Sequence, residues 1–231
     1  MLDTALAAGA AALAVAFCIA TWERWLLRRR RHELAWSASF ACYAIASFAL
    51  AIGVAGGWNG LVFRTFYAAG AVATVPILAT GTAYLHFGRK TGDVVAAVTV
   101  VLVAVGVGVV MASPFVHPLP LDELAQGSKV FNAGPRVFAA VGSGVGATAV
   151  IAGSVISALR GRAALANVLI ALGVTANGAS GLLNSLVGET RGFVVMLAIG
   201  ITLLFAGFLA ATTPQRAVTP PRRLQPQATR P

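Results

Sequence analysis

Seven apolar runs separated by short polar punctuation dominate the chain, covering about 2–20, 35–55, 61–85, 94–112, 137–159, 166–187 and 193–212. A helix crossing a bilayer needs roughly 20 apolar residues, so each run has the length of a span. The fourth is the purest, nineteen residues whose only polar side chain is Thr99. Valine is a poor helix former in water, but a lipid-facing segment must be helix or closed barrel. No run alternates apolar and polar residues as a barrel strand would. The pattern therefore predicts an all-α polytopic membrane protein with seven transmembrane helices.

Composition agrees. The 231 residues are 58% hydrophobic and 10% charged, whereas a soluble domain carries about a quarter charged residues. Seven spans leave only loops and a tail. The expected organisation is a seven-helix transmembrane domain over 1–213 and a disordered basic cytoplasmic tail over 214–231, rich in Pro, Gln and Arg. Asp3 is the only early charge, and Arg28 to Arg31 follow the first run. A cleaved leader has the opposite polarity, so the first run is expected to be a retained anchor with its N-terminus outside.

The net charge is +10. Its placement orients the chain, because thirteen basic residues fall on one side of the spans and four on the other. The richer side is cytoplasmic by the positive-inside rule, which places the N-terminus out, the C-terminus in and the protein in the plasma (inner) membrane. Trp22, Trp25 and Trp36 fall at the cytoplasmic ends of spans and Trp58 at an outer turn, as interfacial indoles do. Nucleic-acid binding is excluded, since no contiguous basic footprint lies on a polar face. The partners implied are the lipid bilayer, anionic lipid at the cytoplasmic face, and a membrane protein partner or a homo-oligomer.

Helices in lipid associate by close contact of small residues. The fifth run carries Gly142, Gly146, Ala149 and Gly153, the sixth Gly173, Ala176, Ser180 and Gly181, the seventh Gly200 and Gly207. These seams predict a tight cluster of the last three spans, with Asn177 and Asn184 facing protein. Pro76, inside the third run, is expected to kink its helix.

Catalytic chemistry is missing. All seven acidic residues lie in loops or at span ends, so no carboxylate sits at the bilayer midplane for ion coupling. The last span has no lysine for a retinal Schiff base. His32, His86 and His117 lie in or beside loops, out of reach of a membrane haem. Cys18 and Cys42 form no metal or disulfide framework. No nucleophile elbow, zinc motif or P-loop occurs. The expectation is no enzyme, no cofactor and no metal.

Four residues remain as candidates for ligand binding. Arg64 sits about 4.5 Å inside the outer end of the third span, where it can hold an anionic group, pair with Asp3, Asp122, Glu123 or Glu189, or snorkel to lipid phosphate. Tyr67 follows on the same face, and Tyr43 in the second span extends the polar lining. Asn177 and Asn184 either line a cavity or bridge helices. The outer loop, 113–136, contains Pro118, Pro120 and Pro135 and a segment, 121–131, able to form a short surface helix.

Several segments carry a resemblance: His32-Glu33-Leu34-Ala35-Trp36, Phe66-Tyr67-Ala68-Ala69-Gly70 continuing to Gly81-Thr82-Ala83-Tyr84-Leu85, the stretch 166–173, and Phe205-Ala206-Gly207-Phe208-Leu209. On these the chain resembles an uncharacterised group of small seven-helix membrane proteins from GC-rich, actinobacteria-like genomes. The resemblance implies the architecture and carries no activity. A vaguer similarity links it to seven-helix sensory modules of bacterial kinases. The expected role is a non-enzymatic accessory, scaffold or sensor-like membrane protein. The alternative is a carrier or binder of a small neutral solute or lipid.

Overall fold

The computed structural model describes residues 2–120, 125–159, 164–186 and 190–212. The expected tail lies outside the described residues, as do Asp122, Glu123 and Glu189. Among the described residues there is no strand, only an isolated bridge between Phe115 and Phe131. The helices are α1 (Leu2–Arg28), α2 (Arg31–Gly56), α3 (Gly60–Tyr67), a π-helix (Ala68–Thr74), α4 (Val75–Ala112), the single turn α5 (Gly127–Val130), α6 (Ala133–Leu159), α7 (Ala164–Leu186) and α8 (Thr190–Thr212). The described residues of every apolar run of the sequence fall within them.

Six stretches are long and apolar enough to cross a membrane, one of them the 53 residues of Gly60–Ala112. As a straight rod that stretch would be about 80 Å long. It reverses instead at Gly88, whose φ of 78° and ψ of −174° suit a residue without a Cβ. Thr80 Oγ1 donates to Thr99 Oγ1 at 2.9 Å and Tyr84 Oη to Asp93 Oδ1 at 2.8 Å. Unbent, Thr80 and Thr99 would be roughly 28 Å apart. Gly106 lies under Val72, and Arg64 reaches the Met111 carbonyl at 3.0 Å. All four pairs straddle Gly88 almost symmetrically, so 60–87 and 89–112 are the arms of an antiparallel helical hairpin. Counting the arms separately gives seven long apolar helices.

Small residues set the close approaches. A Cβ on Gly173 would lie 2.8 Å from the Gly200 carbonyl oxygen, and one on Gly207 would lie 2.8 Å from that of Ala166, so α7 and α8 touch backbone to backbone. The α6 seam does not join them as expected. A Cβ on Gly146 would meet the Val75 carbonyl at 3.0 Å, one on Gly142 the Pro76 ring at 3.0 Å, and one on Gly153 Thr82 Cγ2 at 2.8 Å. The seam serves the first hairpin arm, because α6 must approach the backbone beside Pro76. Trp58 also departs from expectation. It is buried, edge-on to Phe63 at a centroid distance of 5.7 Å, over Gly53, whereas Trp22 is exposed.

Candidate functional site

Pro76 stands just past the end of the π-helix, near the start of α4. In a π register, residue 76 would supply the amide proton for the carbonyl of residue 71, and proline has none. Ser143 of α6 fills the gap, donating to the Ala71 carbonyl at 2.7 Å. Ser39 of α2 donates to the Thr74 carbonyl at 2.7 Å, and Thr74 Oγ1 bonds back five residues to the Ala69 carbonyl at 2.8 Å. Neighbouring hydroxyls thus satisfy backbone that would otherwise be costly in lipid. This also explains why the α6 seam lies here, since only glycines let Ser143 come this close.

A cavity of about 250 Å³ lies beside the π-helix, bounded by α2, α6, α7 and α8. Its walls are mainly apolar, with Phe40, Phe66, Val174, Phe193 and Leu204 among them, and Tyr43, Ser47, Ser143, Asn177 and Ser180 supply polar atoms. The periodicity of α2 explains part of this lining, because Ser39, Tyr43 and Ser47 recur every four residues on one face. On α7, Val174, Asn177, Ser180 and Gly181 share a face, at spacings of three and four residues around Asn177.

At the centre, Tyr43 Oη lies 3.1 Å from Asn177 Oδ1 and 3.1 Å from the Leu197 carbonyl oxygen. One phenol proton serves one acceptor at a time. If it goes to Leu197, the Asn177 amide satisfies Tyr43 by turning Nδ2 toward it. In either orientation the amide keeps an N–H to spare. The amide rests on Gly200, where a Cβ would lie 2.3 Å from Oδ1. Among the described residues, neither Ser47 Oγ nor the spare Asn177 N–H has a protein partner. The arrangement is that of a small-molecule site, an apolar pocket with few convergent polar groups.

The four sequence candidates do not form one site. Asn177 faces protein, as expected, and does both things the sequence allowed: it bridges to Tyr43 of α2 and borders the cavity. Asn184 lies on α7, with its side chain outside the described part. Arg64 turns toward the second hairpin arm; of the acids it was expected to pair with, Asp122, Glu123 and Glu189 lie outside the described residues. Its guanidinium donates to the Val110 and Met111 carbonyls and lies 4.3 Å from the Phe115 ring centroid. It caps the end of the second hairpin arm, where the last helical carbonyls lack amide partners. Tyr67 does not reach the cavity; it packs edge-on to Phe131 at 5.1 Å with Gly127 beneath its ring. Among its described residues, the loop that carries these contacts forms the α5 turn, held by Val116 N–H donating to the Val130 carbonyl at 2.9 Å; residues 121–124 of the expected surface helix lie outside the described residues.

The opposite, basic end holds a buried acid that sequence reasoning placed at an interface. Glu33 is fully buried and accepts from Arg24 Nε at 3.2 Å, and its Oε2 has no partner among the described residues. Arg24 in turn lies 4.9 Å from the Phe208 ring centroid. Nearby, Asp93 precedes the apolar run that starts at Val94; it accepts from Tyr84 and pairs with Arg31 and Arg89. The Tyr84 hydroxyl, then Arg31, hold its carboxyl below the ordinary carboxylate pKa against the opposing effect of desolvation.

No family model, no curated protein and no solved structure matches the chain significantly. The site therefore stands on its own geometry. Among the described residues no cluster of His, Cys, Asp and Glu has the makings of a metal site. The residues that sequence reasoning missed are Ser47 and Ser143, while Ser180 was read only as part of a packing seam. The four-residue serine and tyrosine spacing in α2 was a readable signal, whereas Ser143 acquires its role only through Pro76.

Proposed function

We propose that the protein is a non-enzymatic multi-pass protein of the plasma membrane that binds a small neutral molecule inside its helical bundle. One observation carries this reading: a mainly apolar cavity beside a π-helix holds an asparagine with a spare N–H and a serine hydroxyl that have no partner among the described residues. A neutral ligand suits it, because among the described residues no Asp, Glu, Lys, Arg or His lines the walls, and a charge there would be expensive to desolvate. An accessory or scaffold role has weaker support. The seams it would use, at Gly142, Gly146, Gly173 and Gly207, are filled within the chain.

The topology proposed is seven spans, with the hairpin arms separate, the N-terminus outside and the end bearing Arg28 to Arg31, Arg89 and Lys90 in the cytoplasm. Support comes from the basic asymmetry and from the reversal at Gly88. Those exposed arginines also suit anionic lipid. A membrane-impermeant maleimide applied to intact cells should label Asn59→Cys and spare Lys90→Cys.

The binding test is fluorine NMR of para-trifluoromethylphenol with the protein in lipid nanodiscs. Saturable broadening or shift, weakened by Asn177→Leu, is the expected result. A signal that matches empty nanodiscs at every concentration would overturn the reading.

A further inference from the structure

The chemistry and the route of the ligand follow from two features of the cavity wall. The first is the Asn177 amide. Because it retains an N–H in either orientation at Tyr43 and Leu197, the group it lacks is an acceptor. Ser47 Oγ adds a hydroxyl that donates equally well to an acceptor. The rest of the wall is mainly apolar and aromatic.

The second feature is the α7 wall. Gly178 and Gly181 line the cavity and are also exposed. A Cβ built on either meets no described atom within 4 Å, so among the described residues nothing fills the wall beside these two glycines. On α7, Gly178 follows Ala164 by about 21 Å and precedes Leu186 by about 12 Å, at 1.5 Å per residue. Within a hydrocarbon core about 30 Å thick, an opening at that height faces acyl chains and not water. Asn177 is one residue away, so the amide sits just inside the mouth.

We propose that the ligand is a membrane-dissolved, apolar neutral molecule bearing one oxygen acceptor (a carbonyl, ether or hydroxyl), admitted laterally from the bilayer at Gly178 and Gly181 and anchored by Asn177. This rests on the reading that the cavity binds a ligand, and it adds the class and the route.

The experiment compares four fluorinated probes on the wild-type protein in nanodiscs by fluorine NMR. They are para-trifluoromethylphenol, para-trifluoromethylanisole, trifluorotoluene and the water-confined para-trifluoromethylbenzenesulfonate. The phenol and the anisole should bind saturably, about fivefold more tightly than trifluorotoluene, the effect of one net hydrogen bond. The sulfonate should not bind. Asn177→Leu should bring both oxygenated probes to the level of trifluorotoluene, and Ser47→Ala offers a second variant if the first misfolds. Equal affinity for trifluorotoluene and the oxygenated probes would overturn the acceptor requirement while leaving the cavity as a binding site. Saturable sulfonate binding, displaced by the phenol, would overturn the lateral route. If no probe binds, the underlying binding reading falls as well.

Discussion

Arg24 donates through Nε to Glu33 Oε1 at 3.2 Å, and Glu33 is completely buried, its other oxygen without a partner among the described residues. The pair ties α1 to α2 where the first two helices meet the basic loop. Removing one member strands the other charge, which is far worse than replacing both. Arg24→Ala should destabilise the protein by about 3 kcal/mol, the low end for a broken buried pair, because the Arg24 side chain keeps 24% exposure. Glu33→Gln in the Arg24→Ala background should recover part of that loss. Thermal unfolding in one detergent measures both, and an Arg24→Ala midpoint equal to wild type would refute the assignment.

Ser143 and Pro76 should be energetically coupled. Ser143→Ala leaves the Ala71 carbonyl without a donor and should cost about 1–2 kcal/mol. Pro76→Ala returns an amide proton, so Ser143→Ala should cost less than half as much in that background. A double-mutant cycle measures the coupling; strict additivity would mean that Ser143 does not replace the missing proline donor.

Gly200 is the platform for the Asn177 amide. Gly200→Ala adds a single methyl whose carbon would lie 2.3 Å from Asn177 Oδ1. The amide must move, breaking its contact with Tyr43. Overpacking of this kind costs about 1–3 kcal/mol, and affinity for para-trifluoromethylphenol should fall about as far as in Asn177→Leu. Unchanged affinity with an intact fold would separate Asn177 from the ligand.

Arg64 should matter for stability and not for binding. Arg64→Lys keeps the charge but loses the planar fork that serves two carbonyls and the stacking on Phe115. Both Arg64→Lys and Arg64→Leu should lower the thermal midpoint, with Arg64→Leu the worse, while probe affinity stays within about twofold. A selective loss of binding would return Arg64 to the ligand site.

Acid should loosen the hairpin tip. The carboxyl of Asp93 titrates below the ordinary carboxylate range, so the native state holds fewer protons there than the unfolded chain does. Its contribution is complete above the unfolded pKa and disappears as pH falls through the lower native pKa. The stability gap between wild type and Asp93→Asn should therefore be widest near neutrality and close on acidification. A gap independent of pH would remove Asp93 from the hairpin lock.

The positions of the helices were legible in the sequence, because lipid solvation demands long apolar runs and leaves helix as the local solution. The described residues of each run from 2–20 to 193–212 are helical. Asn177 was legible as well, since an amide in the middle of an apolar run must face protein. The partners of each residue were not. Arg64 finds its carbonyls at Val110 and Met111 only because the chain reverses at Gly88, far from either in sequence. The α6 glycines meet the first hairpin arm instead of α7 and α8 because Pro76 leaves a carbonyl that Ser143 must reach. Hydropathy is a property of each run by itself and can be read along the chain. Hydrogen-bond satisfaction in a low-dielectric interior is a property of pairs of helices, so only the tertiary structure decided where the cavity formed and which groups were left open to line it.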